Sequence, residues 1–197
     1  MSHGQVAALA APGGLVLRTE RLIVRTIEAS DLGAMSVINA DAAVTRFLLH
    51  PAWTAPEQVQ NWWRRVGIRS ACGQAIQLII TLADGEVIGT CALFEIDPNQ
   101  QSAVIGYQLA QAYWGLGMMR EALLATLAMG FEKIGLRRIA ARVDYRNSSS
   151  VGLLLRLGFL QEGLLREHAW VKGALTDLVL LGLLRRQWDP LAVSANA

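Results

Sequence analysis

A strand, a loop with two glycines and a long helix follow one another within residues 103–134, and this order constrains the fold more than any other feature of the chain. Residues 103–109 have the composition of a strand, and residues 117–134 have the apolar face of a helix that packs on a sheet. Gly135 marks the end of that helix, because glycine readily adopts the left-handed conformation. With another strand predicted over residues 138–144, the segment indicates a strand-helix-strand crossover in the middle of a sheet.

The flanking segments predict further strands and helices. Two β-rich runs, Gln77 to Ala83 and Glu86 to Ile96, are separated by Asp84-Gly85, a dipeptide typical of hairpin turns. Partial alternation over Leu15 to Arg25 indicates a bent or bulged opening strand. The other predicted elements are helices over 31–40, 56–68 and 148–157 and strands over 159–164 and 175–184. This pattern predicts an α/β (α+β) fold, a mixed sheet layered with helices.

Length and composition favour one folded unit. The chain has 197 residues, and with 53% hydrophobic residues it can bury a sizeable core. We predict a single domain over residues 15–190, a flexible N-terminal tail over residues 1–14 and a C-terminal tail over residues 191–197. The apolar run from Val6 to Ala11 lacks a basic flank and is too short for a secretory signal.

Charge, hydropathy and cysteine usage argue against several functional classes. The net charge of +2 comes from dispersed residues, so direct nucleic-acid binding is not expected. No apolar stretch reaches the roughly 18 to 20 residues that cross a bilayer, so we predict a soluble protein without a membrane partner. Cys72 and Cys91 occur without CxxC spacing or histidine clusters, which predicts no metal site and fits a cytoplasmic location.

The segment from Tyr113 to Met119 is a candidate phosphate-binding loop. It opens the long predicted helix, where unpaired N–H groups and the helix dipole favour an anion. A Rossmann fingerprint fails because Arg120 stands where the third glycine belongs, and no Gly-Lys-Ser or Gly-Lys-Thr follows for a Walker loop. The glycines alone leave both an anion site and a tight structural turn open.

Several motifs occur around this loop in a characteristic order. They are Arg18-Thr19-Glu20-Arg21-Leu22 with Arg25, Ile105-Gly106-Tyr107, Trp114 to Met119, Leu136-Arg137-Arg138-Ile139, Asn147 to Ser150, Leu157-Gly158-Phe159 with Glu162-Gly163, and Asp177 through Leu184 to Trp188. Together they resemble the GCN5-related N-acetyltransferases (GNAT), specifically the branch of ribosomal-protein N-terminal alanine and serine acetyltransferases. The resemblance spans about Leu15 to Pro190. It implies a GNAT-like, mostly antiparallel twisted sheet with a central splayed strand pair and helices on both faces.

The resemblance also implies acetyl-coenzyme A as the acetyl donor, with coenzyme A as product. The pantetheine arm would lie between the splayed strands and pair with backbone groups at Leu109 and Gln111. The pyrophosphate would lie on N–H groups of the glycine loop. The loop residues implied are Trp114, Gly115, Leu116, Gly117, Met118 and Met119. Trp114 and Met119 depart from the family's commonest residues, which affects the expected affinity for the cofactor.

Asn147 and Ser150 match the Asn-x-x-Ser of the family at the start of the helix predicted over residues 148–157. Without the resemblance, Asn147 or Ser148 is simply a helix cap. The resemblance implies that Asn147 orients the cofactor and that Ser150 protonates the departing thiolate. The backbone N–H of Leu109 would hold the oxyanion.

The general base remains open. The family places a glutamate near the second-last strand, where this sequence has Ala169, so that residue is not carried over. The candidates for the base are His168, Glu95, Tyr107 and solvent. An α-amine with a pKa near 8 is about one-tenth neutral at pH 7, whereas lysine is neutral less than about once in a thousand. A site with a weak base therefore favours an N-terminal α-amine or a small amine of low pKa.

These features predict an N-acetyltransferase that transfers acetyl to a primary amine by direct attack in a ternary complex. A protein or peptide N-terminus, including that of a ribosomal protein, is the first acceptor hypothesis, with contacts expected within residues 50–65. A small-molecule amine (antibiotic, polyamine or amino-acid analogue) and a non-catalytic acetyl-CoA-binding sensor are the alternatives. Neither Cys72 nor Cys91 matches an active position, which disfavours a covalent cysteine mechanism. A monomer and a homodimer both remain open.

Overall fold

One eight-stranded sheet organises the protein, and the computed structural model describes residues 1–189. The strands lie in the order β1-β2-β3-β4-β5-β6-β8-β7. They are β1 (Val16–Arg18), β2 (Leu22–Thr26), β3 (Ala75–Leu82), β4 (Val87–Asp97), β5 (Ser102–Leu109), β6 (Arg138–Asp144), β7 (Leu160–Val171) and β8 (Ala174–Leu184). Every neighbouring pair is antiparallel except β5 and β6, which are parallel. The predicted mixed, mostly antiparallel sheet is therefore confirmed.

Helices lie on both faces of this sheet. They are α1 (His3–Ala10), α2 (Leu32–Ala40), α3 (Ala42–Thr45), α4 (Pro56–Ala71), α5 (Met118–Ala128) and α6 (Ser148–Arg156). Leu78 and Ile80 of β3 belong to the large core cluster that includes α5. Ile79 instead joins a second cluster with residues of α2 and α4. Successive strand residues point to opposite faces, so the two clusters occupy opposite sides of the sheet.

The central strands β5 and β6 splay apart. They pair only from Ser102 to Val104, which lie opposite Arg138 to Ala140. The rest of β5 keeps its antiparallel pairing with β4 up to Leu109, while the rest of β6 pairs with β8. The gap therefore leaves one edge of β5 without a strand partner from residue 105 onward, and the predicted splayed pair and its crossover through α5 are confirmed.

The opening segment is a hairpin of two strands, so the predicted single bent strand over residues 15–25 is wrong. Val16 of β1 lies opposite Arg25 of β2. The connection is closed by Thr19, whose N–H donates to the Leu22 carbonyl while its hydroxyl oxygen accepts from the Leu22 N–H. The hairpin predicted at Asp84-Gly85 is confirmed, since it joins the antiparallel β3 and β4.

The N-terminal segment forms the helix α1 within residues 1–14, for which the sequence predicts a flexible tail. Ser2 and Gln5 form a capping box at the start of α1, each side chain bonding the other's backbone N–H. Val6 and Ala10 are buried in the core, where α1 packs against β3 and α4. Long-range packing thus stabilises a segment of weak helical pattern. The predicted C-terminal tail, residues 191–197, lies outside the described residues.

The last hairpin is longer than the sequence pattern indicates. Strand β7 continues to Val171, although the apolar pattern predicts its end near Leu164, and a tight turn leads into β8. Irregular pairing between Leu165 and Ala169 interrupts the period of two on which the prediction depends.

Within residues 1–189, no helix is long and apolar enough to cross a membrane.

Candidate active site

A loop with two left-handed glycines connects β5 to α5. Gly115 and Gly117 both have φ of 75°, and Gly117 is the N-cap of α5. No described side chain caps this helix, so the N–H groups of its first turn, beginning with Met118 and Met119, lack intrahelical acceptors. Exposed N–H groups at a helix N-terminus fit a diphosphate group.

The residues predicted for this loop contribute backbone or packing in different ways. Trp114 and Leu116 are about half exposed, whereas Met119 is buried in the large core cluster. The side chain of Met119 therefore packs inward and leaves its N–H at the helix start. A Cβ at Gly115 would meet no neighbouring atom, so it is the positive φ of 75°, and not a lack of space, that favours glycine there. These placements are compatible with the predicted pyrophosphate loop, which stays a prediction.

Arg21 and Thr19 hold the loop and the first turn of α5 together. Arg21 Nε donates to Glu121 Oε2 at 2.6 Å, and Arg21 N donates to Glu121 Oε1 at 2.8 Å. A second guanidinium nitrogen of Arg21 donates to the carbonyl of Leu116 at 2.9 Å. The Thr19 hydroxyl donates to Glu121 Oε1 at 2.5 Å. The sequence prediction missed this cluster, although Arg18 to Leu22 was among the matching motifs.

Glu121 is held as a carboxylate by this cluster. Partial burial raises its pKa, but the hydrogen bonds from Thr19 and Arg21 outweigh that effect, so its pKa is lowered overall. The carboxylate lies in the first turn of α5, next to the N–H groups that would receive an anion. Arg21 thus balances a negative charge that would otherwise repel a phosphate group.

The unpaired edge of β5 presents its backbone to the gap. Ala110 N–H donates to the carbonyl of Ile88 in β4. Because backbone groups alternate along an antiparallel strand, the N–H and C=O of Leu109 and Tyr107 point to the other edge of β5. The indole N–H of Trp114 already donates to the Leu109 carbonyl at 2.8 Å. The carbonyl of Leu109 thus has a partner within the protein, whereas its N–H does not take part in the bond with Trp114.

Gln111 lies beyond the end of β5, in a 3-10 turn over Gln111–Tyr113. Its carbonyl accepts from the Trp114 N–H at 3.1 Å. The two carbonyls of the predicted pairing, those of Leu109 and Gln111, therefore each accept one hydrogen bond from Trp114 within the protein.

Ser150 and Tyr107 meet across the gap. The Tyr107 hydroxyl lies 2.7 Å from Ser150 Oγ, and either oxygen can donate. Asn147 is the N-cap of α6, because its Oδ1 accepts from the Ser150 N–H at 3.2 Å. The capping interpretation of Asn147 is thereby confirmed, and the same bond fixes the first turn of α6 that carries Ser150.

Tyr107 is a proton donor in this environment. Burial raises its pKa to about 12, although the hydrogen bond with Ser150 works in the opposite direction. The phenol is therefore protonated near neutral pH, and Tyr107 is not suited to be the general base. Its hydroxyl can instead donate a hydrogen bond to Ser150 Oγ.

Of the other candidate bases, Glu95 forms an ion pair and His168 lies on a strand at the edge of the sheet. The carboxylate of Glu95 forms an ion pair with Arg142 of β6. His168 is exposed on the edge strand β7, and β8 lies between β7 and β6. Neither side chain contacts Ser150 in the described structure. Solvent is the remaining proton acceptor among the predicted candidates.

The turn between β7 and β8 approaches α3 and forms one side of the region around the C-terminal end of β6. Lys172 Nζ in that turn donates to the carbonyls of Thr45 and Arg46, at 2.6 and 3.0 Å. Asp144 at the end of β6 bonds the guanidinium of Arg146 through both carboxylate oxygens, which lowers the pKa of Asp144.

Part of the predicted acceptor segment lines a separate open cavity of about 410 Å³. The cavity lies between α2 and the start of α4. Its lining residues are Leu32, Gly33, Ser36, Trp53, Thr54, Ala55, Pro56, Val59 and Gln60, of which none is charged. A tryptophan and several small residues thus occur where residues 50–65 were expected to contact the acceptor.

Known proteins share both the sequence pattern and the fold. Residues 21–160 match the family model described as an acetyltransferase (GNAT) domain. The uncharacterized N-acetyltransferase p20 of Bacillus licheniformis is 36% identical over 173 residues, covering 87% of this chain and 97% of the relative. The ribosomal protein uS5-alanine N-acetyltransferase of Escherichia coli (strain K12) is 28% identical over 184 residues, covering 88% and 93%.

A solved structure supports the same fold. The spermidine N-acetyltransferase of Vibrio cholerae in complex with CoA and spermine has a TM-score of 0.77 at 21% identity, and the match covers 86% of this chain and 98% of that one. At this identity the likeness shows the fold alone. The family model, by contrast, covers more than half of the chain. The chain therefore belongs to the GNAT acetyltransferase family and is an N-acetyltransferase with acetyl-coenzyme A as its acetyl donor.

Proposed function

We propose that this enzyme acetylates the α-amino group at the N-terminus of a peptide or protein by direct transfer within a ternary complex. The observation that carries the proposal is the 2.7 Å contact between Tyr107 and Ser150, beside the unpaired edge of β5. It supplies a proton donor where the gap in the sheet exposes backbone N–H groups. The glycine loop at the end of the same strand supports binding of a diphosphate.

The reaction uses few groups of the protein. Acetyl-coenzyme A supplies a thioester whose carbonyl carbon an amine can attack. The acceptor's amine forms the C–N bond, the C–S bond breaks, and the amine loses a proton to solvent. Ser150 gives its hydroxyl proton to the departing sulfur and regains one from Tyr107, and Tyr107 is reprotonated by solvent. The Leu109 N–H donates to the carbonyl oxygen as negative charge develops there.

Direct transfer is supported by the state of both cysteines. Cys91 is buried, its Sγ lies 3.2 Å from the Thr126 hydroxyl, and burial raises its pKa to about 12. A thiol in that state is a poor nucleophile near neutral pH. Cys72 is exposed at the C-terminal end of α4, away from the gap between β5 and β6. Neither cysteine is placed to carry a covalent acetyl group.

The charges around the end of β6 favour a peptide over a polyamine as acceptor. Arg142 and Asp144 lie two residues apart on the same face of β6. Their partners are the carboxylate of Glu95 and the guanidinium of Arg146. Lys172 lies close enough to Asp144 and Arg146 for its pKa to respond to both charges.

The carboxylates of Glu95 and Asp144 are each paired with an arginine, and Lys172 adds a third basic group beside them. A polyamine carries several positive charges and would need unpaired carboxylates in their place. A peptide N-terminus brings a single amine and accommodates neutral or acidic residues behind it. The relative named for acetylating uS5 alanine supports this choice, and such an acceptor would place the enzyme in the cytoplasm.

Thiol release from acetyl-coenzyme A tests the proposal. The acceptors are a peptide with a free N-terminal alanine, the same peptide with a blocked N-terminus and one internal lysine, and spermidine. We expect release of free coenzyme A with the first peptide and little with the other two. Faster turnover of spermidine would favour a small-molecule acetyltransferase. Tight binding of acetyl-coenzyme A with no release for any amine would favour the non-catalytic sensor.

A further inference from the structure

We infer that Arg21 is a positioning residue that fixes the glycine loop in the shape that receives the cofactor's diphosphate. This inference rests on the pyrophosphate loop assigned in the proposed function. Arg21 reaches across from the opening hairpin and bonds two elements at once. Its guanidinium contacts the carbonyl of Leu116 within the loop and the carboxylate of Glu121 within α5.

The contact with Leu116 determines which side of the loop faces an anion. In a trans peptide unit the carbonyl and the N–H point in opposite directions, so a Leu116 carbonyl that faces Arg21 turns the N–H of Gly117 to the other side. The guanidinium stabilises the outward orientation of the Leu116 carbonyl, between the left-handed Gly115 and Gly117. Without that bond, the peptide unit is free to rotate and to present its oxygen toward the phosphate side.

The contact with Glu121 holds the guanidinium in place. The carboxylate accepts from the side chain and the backbone N–H of Arg21, and also from the Thr19 hydroxyl. Three donors from the β1–β2 turn therefore converge on one carboxylate of α5. This arrangement gives the turn a function beyond closing a hairpin, because it anchors the start of α5.

A planar guanidinium is required for this double contact. Its nitrogens diverge in fixed directions, so one can bond a carboxylate while another bonds a carbonyl. Lysine keeps the positive charge, but its compact ammonium group lacks this fork. The positioning role therefore predicts a different result for Arg21→Lys than a role in which Arg21 acts only as a positive charge near phosphate.

The experiment compares coenzyme A with a ligand that lacks the diphosphate. Calorimetry gives the Kd of coenzyme A for wild type, Arg21→Met, Arg21→Lys and Thr19→Val, with Arg18→Met as the matched control. Turnover with S-acetylpantetheine, which has the thioester but no diphosphate, is measured in parallel. Arg18 is an exposed arginine three residues before Arg21, on the neighbouring β1. Thermal melting of each variant verifies that it is folded.

We expect Arg21→Met and Arg21→Lys each to raise the Kd of coenzyme A about tenfold, as for the loss of one hydrogen bond to a charged group. Thr19→Val should act in the same direction with a smaller effect. Turnover with S-acetylpantetheine should stay within about twofold of wild type, as should every measurement on Arg18→Met.

Three results would overturn the inference. A wild-type Kd in Arg21→Lys would mean that charge alone suffices, and an equal loss with S-acetylpantetheine would mean a general structural effect. Unchanged binding in all Arg21 and Thr19 variants would remove the role altogether. Because the calorimetric binding does not require turnover, failure of amine acetylation in the wild type would count against the proposed function and not against the position of Arg21.

Discussion

The cofactor side and the acceptor side of the gap are held together in different ways. On the cofactor side, the turn at Thr19 and Arg21 converges on Glu121, and the loop it supports offers mainly backbone N–H groups. At the end of β6, where we propose that the acceptor binds, the flexible side chain of Lys172 in the β7–β8 turn donates to two carbonyls at α3. The first arrangement suits a constant ligand, whereas the second allows the acceptor to vary between relatives.

Proton donation at the gap should show the largest effect. We expect Ser150→Ala to lower kcat about 100-fold with little change in the KM of acetyl-coenzyme A, since positioned proton transfer contributes on the order of 10²–10⁴ in rate. Tyr107→Phe should lower kcat as well, and the double variant should be no worse than Ser150→Ala, because the two hydroxyls act as one unit.

Ser149→Ala is the control for this pair, since Ser149 is exposed in the same turn of α6. Steady-state kinetics with saturating acceptor gives all four rates. Additive losses in Tyr107→Phe and Ser150→Ala would contradict the relay between them.

The glycine loop should show the second-largest effect, on cofactor affinity. Gly117→Val should raise the KM of acetyl-coenzyme A about 30-fold. This factor corresponds to about 2 kcal/mol, the free energy expected for the loss of one hydrogen bond to phosphate. Gly135→Val is a matched control, since Gly135 has φ of 78° and ends the same helical segment. Both variants should lose about 1–2 kcal/mol of stability from the left-handed conformation.

Only Gly117→Val should change the KM of acetyl-coenzyme A, which steady-state kinetics gives. Chemical denaturation gives the stability of both variants. A similar KM change in Gly135→Val would show that the effect comes from stability and not from the loop.

The pH profile should sharpen the distinction between acid and base. With a peptide acceptor, kcat/KM should rise about tenfold from pH 7 to pH 9, because the α-amine is deprotonated across its pKa near 8. Tyr107 has a pKa raised to about 12 by burial, so it keeps its proton throughout this window. A loss of activity between pH 8 and pH 9 in the wild type that disappears in Tyr107→Phe would contradict this assignment.

The acceptor side should show the smallest effect. Lys172→Met removes the bonds to the carbonyls of Thr45 and Arg46, so we expect the acceptor KM to rise about threefold to fivefold, as for one modest hydrogen bond. The KM of acetyl-coenzyme A should not change. The sequence contains one other lysine, Lys133, which is exposed in the helical segment Met129–Ile134 that follows α5, and Lys133→Met serves as the control. A larger effect on the cofactor KM than on the acceptor KM would contradict the separation of the two sides.

Local signals were sufficient to predict most of the fold. Asp84-Gly85 marks a hairpin because few other dipeptides adopt the required turn, and Gly135 ends a helix for a similar reason. The β1–β2 turn was missed because it contains no glycine and is closed by the hydroxyl of Thr19. The helix α1 was missed because its stability comes from burial of Val6 against distant elements.

The candidate site was predicted less completely. Ser150 and the glycine loop could be predicted because the family motif has fixed spacing around them. Arg21 and Glu121 are 100 positions apart in the chain, and no local pattern connects them. The partnership of Tyr107 with Ser150, 43 positions apart, depends equally on the crossover and was not predicted, although Tyr107 was among the candidate bases. The donor role that we propose for Tyr107 rests on the burial of its side chain, and burial cannot be read from a single residue in the sequence.

The most direct test of the central claim is the position of the acetyl group on a peptide that has a free N-terminal alanine and one internal lysine. The peptide is incubated with the enzyme and acetyl-coenzyme A, and tandem mass spectrometry locates the modification. The account predicts acetylation of the α-amine, lost in Ser150→Ala and retained in Ser149→Ala. Acetylation of the lysine, or a modified α-amine in the same yield with Ser150→Ala, would contradict it.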